Sequence, residues 1–185
     1  MSLLNVVLVV LGIVLLWVVT VYNGFIRSRF RIREALSDID VQTKRRYDLI
    51  PNLMETVKGY MAHEKGVLES VTSARTAVMG AGGNPLEKAK AENALSGTLK
   101  TLFAVAENYP ELKANTNFLS FQTELSDTEN KIQAARRFYN DTVQDMNTKV
   151  HSFPGNVIAG VFGFHEEKFF EVISAGEKEV VNVKF

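Results

Sequence analysis

The sequence predicts an all-α protein with three parts: one N-terminal transmembrane helix, an antiparallel bundle of long helices, and a short apolar C-terminal tail. Three observations predict it. The first 26 residues carry no charged side chain. Beyond them, apolar residues recur at steps of three and four, the spacing that puts side chains on one face of a helix. Only four prolines punctuate 185 residues, which favours long regular elements over many short ones. On this basis residues 1–26 form an anchor, 27–152 a helical bundle, and 153–185 an apolar tail or subunit-contact segment.

The run from Leu3 to Tyr22 is apolar except for Asn5, Gly12 and Thr20. About 20 such residues in a helix cross roughly 30 Å of hydrocarbon. A cleaved signal peptide needs basic residues ahead of the apolar run and a small-residue cleavage site behind it, and neither is present. A buried core helix usually keeps a polar face, and this run has none. A retained anchor fits best. Trp17 and Tyr22 lie in its second half, and Tyr22 suits the membrane interface. Arg27, Arg29, Arg31 and Arg33 follow at once. Positive residues beside a span stay on the cytoplasmic side, so the N-terminus is expected outside and the remainder in the cytoplasm. The same arginines suit the phosphates of anionic lipid.

Composition bounds the function. With 21 basic and 21 acidic residues the net charge is zero, which argues against a dedicated nucleic-acid binder. With no cysteine there is no disulfide, no thiolate nucleophile and no cysteine metal site.

Three long helices follow the anchor. From Ile32 to Val78 one seam reads Leu36, Ile39, Ile50, Leu53, Val57, Tyr60, Val67, Val71, Ala74 and Val78. Pro51 lies within it and predicts a kink or break near residues 47–51. Gly80–Pro85 is the clearest loop, and Pro85 can open a second helix carrying Leu95, Leu99, Leu102, Phe103 and Ala106. That helix stops before Asn108-Tyr109-Pro110. The third runs from about Leu112 to Val150 along Phe118, Phe121, Leu125, Thr128, Ile132, Ala135, Tyr139, Thr142 and Met146. Residues 179–185 read as a short strand or an extended tail.

Charged residues near the seam are the first candidates for a site. Asp40, Lys44 and Asp48 are spaced so that successive pairs can meet on one helix face, and Arg45 lies beside them. Arg46 falls on the apolar seam, where an unpaired charge is costly, so it needs a carboxylate; Glu124 or Glu129 on the third helix can supply one. It serves either to fix helix register or to contact lipid or a partner protein. Glu64 also lies on the seam, suited to accept a hydrogen bond from a neighbouring helix. His63-Glu64 and His165-Glu166 lack the second imidazole of a zinc-protease motif, because Val67 and Phe169 stand where it would be. No Gly-x-Ser-x-Gly elbow and no phosphate-binding Gly-Lys-Ser/Thr ending occurs. Neither a catalytic residue nor a cofactor or metal is expected.

Residues 153–164 are apolar and uncharged. Gly155, Ala159 and Gly163 recur every fourth residue, a spacing that lets helices approach closely. With Phe153 they are candidate subunit contacts. A fold back over the bundle end and insertion into a membrane surface are the other options for this segment.

The stretch 40–63, DVQTKRRYDLIPNLMETVKGYMAH, closely resembles the hallmark of the LemA family of bacterial membrane proteins. Glu107-Asn108-Tyr109-Pro110-Glu111-Leu112-Lys113-Ala114 agrees with it, as do Tyr22-Asn23, Phe153-Pro154 and the pattern from Phe118 to Tyr139-Asn140. The resemblance implies a single-pass protein of the bacterial inner membrane with a spectrin-like bundle and no catalytic residues to carry over. It also points to a membrane protease or another membrane-quality-control protein as partner. Together these features lead to a membrane-anchored helical scaffold or adaptor, bound to membrane lipid and self-assembling. The alternative is a membrane-remodelling or anionic-lipid-binding module.

Overall fold

The computed structural model describes residues 2–81 and 85–170. These form six helices and no strand: α1 Leu3–Lys58, α2 Lys65–Gly80, α3 Pro85–Ala106, α4 Pro110–Lys113, α5 Thr116–His151 and α6 Gly155–Phe162. Part of the glycine-rich loop (82–84) and the expected strand or tail at 179–185 lie outside the described residues. The chain sorts into two compact units, one of residues 1–39 with 134–169, the other built on residues 40–133.

In the second unit the helices alternate in direction, and their apolar stripes close one core. Ile50, Leu53 and Val57 of α1 meet Val71 and Val78 of α2, Leu95, Leu99 and Leu102 of α3, and Phe118 and Leu125 of α5. Phe103 and Phe118 meet edge to face with ring centres 6.0 Å apart. Such large apolar side chains contribute about 1.5–3 kcal/mol each when fully buried.

Two boundaries differ from the sequence expectation. The seam over 32–78 is not one helix broken near 47–51. α1 runs unbroken through Pro51, and the chain leaves the helix at residues 59–64 instead. The cause of the first difference is visible. Pro51 has no amide to give the Tyr47 carbonyl one turn back. The Arg75 Nε–H, reaching from α2, fills that acceptor at 2.9 Å. Arg75→Ala is therefore expected to cost about 1 kcal/mol in the native background. It should cost little beside Pro51→Ala, whose restored amide serves Tyr47. A double-mutant cycle by denaturation measures this; equal costs in both backgrounds would refute the substitution of one donor for the other.

The break at 59–64 keeps the apolar period, because Met61 remains fully buried in the same core. Tyr60, expected on the seam, is exposed there. The third expected helix starts later than Leu112. A single turn, α4, buries Leu112, and α5 begins at Thr116. Asn115 sets that start: its Oδ1 accepts from the amides of Asn117 at 2.9 Å and Phe118 at 3.1 Å. This capping satisfies two of the amides that a helix start leaves open.

In the first unit α1 buries Phe25, Ser28, Ile32, Ala35 and Ile39, a strict alternation of three and four residues. Antiparallel to it, α5 buries Arg136, Tyr139, Val143 and Met146. Lys149 Nζ donates to Ser28 Oγ at 2.6 Å. After α6 the chain returns along α5: Asn147 exchanges two hydrogen bonds with the Glu167 backbone, and the Tyr139 hydroxyl donates to the Lys168 carbonyl at 3.0 Å.

Candidate functional site

Two loci carry the charged and apolar residues singled out by sequence, one in each unit. In the second unit Arg46 is buried. Its guanidinium lies 2.7 Å from Glu129 Oε2 and 3.3 Å from Glu92 Oε2, and it donates to Ser96 Oγ at 2.8 Å. Ser96 in turn lies 3.0 Å from Glu129, and Gln133 Nε2 donates to the other Glu129 oxygen at 3.0 Å. The expected partner on the third helix is thus Glu129, and Glu92 adds a second carboxylate that spacing on α1 could not reveal. Glu92 does carry a signal of its own. It shares the buried stripe of α3 with Ala89, Leu95 and Leu99, where a carboxylate needs a cation. One cation between two carboxylates, fully enclosed on the Glu92 side, joins α1, α3 and α5 in register. A cleft beside Phe103, Lys100 and Gln122 opens toward the cluster.

The neighbouring charges do other things. Asp40 pairs with Lys88 of α3 rather than with Lys44, so the expected helix-face pairing of Asp40 and Lys44 is not formed. Exposed pairs at that spacing contribute only about 0.3–0.5 kcal/mol, and a cross-helix partner outcompetes them. Lys44, Arg45 and Asp48 are exposed and make no ion pair among the described residues. Glu64 accepts a hydrogen bond from the Tyr109 hydroxyl at 3.0 Å. That bond, then burial and the carboxylate charge, hold the Tyr109 hydroxyl above its ordinary range, so it stays protonated further into alkali than free tyrosine. Tyr139 is raised too, by burial first and then by the Glu167 charge. His63 and His165 are exposed, and His151 lies 3.3 Å from Glu166.

The first unit holds the juxtamembrane locus. Every large aliphatic side chain from Leu3 to Leu16 is exposed; none is covered by the protein itself. Trp17 is 38% exposed. Val18 and Val21 are half-buried, and the Tyr22 ring centre is 4.9 Å from that of Phe162 and 5.7 Å from that of Phe164. Phe25 stacks on Phe164 at 4.7 Å, and the Arg29 guanidinium lies over the Phe164 ring at 5.0 Å. Arg33 covers Phe30, while Arg27 and Arg31 project into open space.

The small residues of the tail have contacts within the chain. A Cβ on Gly155 would lie 2.6 Å from the Lys149 carbonyl oxygen, too close for any side chain. Ala159 is buried. Gly163 ends α6 with φ +69°, the left-handed region where glycine is preferred. Their fourfold spacing is accounted for by packing and capping inside one chain. Phe153 is different: it is 82% exposed.

An apolar helix uncovered by its own chain, leading into a bundle with a buried ion cluster, defines a class: a helical-bundle protein whose N-terminal helix is long and apolar enough to cross a membrane. The chain belongs to the LemA family, whose sequence profile matches residues 35–185. It is 30% identical over 164 residues to Protein LemA of Metamycoplasma hominis, a match covering 87% of this chain and 72% of that protein. It is also similar, at 23% identity over 185 residues, to magnetosome protein MamQ 2 of Paramagnetospirillum magneticum, with 86% of this chain and 68% of that protein covered. A magnetosome protein MamQ of Magnetospirillum gryphiswaldense matches at 22% over the same shares. None of these names carries an enzymatic activity.

Proposed function

We propose that the chain is a non-enzymatic, membrane-anchored scaffold or adaptor. The apolar start of α1 holds it in the bacterial inner membrane, with the N-terminus outside and the bundle in the cytoplasm. The bundle surface is displayed for self-assembly and for a partner such as a membrane protease. One observation carries this reading: Leu3–Leu16 presents aliphatic side chains on all sides and packs against none of its own chain. In water that surface would be a severe liability; in lipid it is the ordinary state of a single span.

Display needs no reacting group. Anchoring confines the bundle to a thin layer, and confinement raises the effective concentration of sister subunits and partners. The exposed charges Lys44, Arg45 and Asp48 offer a polar contact surface on α1. The buried trio of Arg46, Glu92 and Glu129 keeps the helices in register beneath it. Arg27 and Arg31 are free to meet lipid phosphates on the cytoplasmic face.

The test is the mass of the complex extracted with its native lipid, with co-purifying proteins identified. A discrete assembly larger than one chain, or a stoichiometric partner, is the expected result. A bare monomer across a range of extraction conditions would overturn the scaffold.

A further inference from the structure

We propose that α6 is an interfacial membrane helix: its outward edge, Val157 and Val161, together with Phe153 just ahead of it, is immersed in the acyl chains of the leaflet that α1 leaves at Tyr22. This rests on the anchored reading given above and adds a second point of membrane contact to it.

The placement comes first. Rising about 1.5 Å per residue, the apolar run from Leu3 needs about 20 residues to cross the hydrocarbon, which brings the boundary to Tyr22. Tyr22 is where α6 is held. Its ring meets Phe162 and Phe164, Phe25 stacks on Phe164, and Gly155 approaches Lys149 closely beside Phe25. α6 is therefore fastened at the depth at which the span ends.

The surface comes second. α6 turns Ile158 and Ala159 inward. On the other side Val157 is 54% exposed and Val161 72%, and Phe153, just ahead of the helix, is 82% exposed. No charged residue occurs between Ser152 and Phe164. A phenylalanine and two valines held open to water by a tight glycine contact would be a poor arrangement; beside a bilayer they continue the lipid-facing surface of α1.

The charges come third. The residues flanking the patch are polar or charged: Lys149 and His151 at the end of α5, with Glu166 lying 3.3 Å from His151. An apolar edge flanked by polar and charged residues is the pattern of helices that lie in the headgroup region, with the apolar face about 5–10 Å deep. A second copy of the chain would also cover apolar surface, but at this depth the uncovered aliphatic start of α1 already has lipid as its neighbour.

The chain has no cysteine, so a single introduced cysteine carries a nitroxide to one chosen place. Full-length chains bearing Val157→Cys, Val10→Cys or Ser126→Cys are reconstituted in vesicles of phosphatidylcholine and phosphatidylglycerol. Collision with oxygen, which concentrates in lipid, is compared with collision with a water-soluble nickel chelate. The expected oxygen-to-nickel ratio at 157 lies well above that at 126 and below that at 10. A ratio at 157 equal to that at 126, with 10 still in lipid, overturns the α6 proposal and leaves the anchor standing. A label at 157 that is immobile and shielded from both reagents also overturns it, assigning the edge to a second copy. A water-like label at 10 overturns both readings together.

Discussion

Arg46→Met is expected to cost about 3–5 kcal/mol of folding stability, the usual penalty for breaking a buried ion pair by removing one partner. The expectation follows from the two carboxylates around it. Glu129 keeps 32% of its side chain exposed and retains Ser96 and Gln133 as hydrogen-bond partners, so water can take over from the lost guanidinium. Glu92 has no exposed side-chain surface, so water cannot take the place of the guanidinium there. The damage should therefore be specific. Adding Glu92→Leu to Arg46→Met removes the buried carboxylate together with the guanidinium, and most of the stability should return, as buried ion pairs replaced by apolar groups usually allow. The measurement is thermal or denaturant unfolding of the full chain in detergent. A loss below about 1 kcal/mol for the single variant would contradict the enclosed geometry. A double variant no better than the single would move the defect to packing.

The second large effect concerns the span. Leu8→Arg with Leu11→Arg places two cations near the middle of the apolar run. Each costs about 2.5–3.5 kcal/mol at the centre of a membrane helix, so the pair should abolish stable insertion. The readout is the fraction of chain that stays with membranes after alkaline carbonate washing. It should fall from nearly all to a minor share, while Lys44→Ala, on the exposed bundle surface, leaves it unchanged.

How much of this was legible from the residues depends on what competes locally. The span needed no tertiary information, since a 20-residue run broken only by Asn5, Gly12 and Thr20 and carrying no charge suits lipid better than water. Arg46 was legible as a buried charge because it interrupts a regular stripe. Glu129 was reachable from the facing stripe of the third helix, whereas Glu92 lies on α3, and spacing along α1 says nothing of which residue of α3 faces Arg46. Pro51 misled for a tertiary reason: the broken hydrogen bond is repaired by Arg75, 28 residues away in sequence. The exit at residues 59–64 was hidden because Met61 keeps the apolar period through a non-helical turn. Gly155, Ala159 and Gly163 showed a spacing with more than one physical meaning. A backbone approach, a buried alanine and a left-handed cap produce the same fourfold pattern as a helix–helix seam.

The central claim is that the start of α1 lives in lipid, and the chain carries its own probe. Trp17 is its single tryptophan and lies inside the apolar run. With the unmodified chain reconstituted in vesicles, its emission should be shifted to the blue, quenched by brominated acyl chains and insensitive to iodide in the water. Red-shifted emission, quenched by iodide and untouched by the brominated lipid, would contradict the membrane anchor and the function built on it.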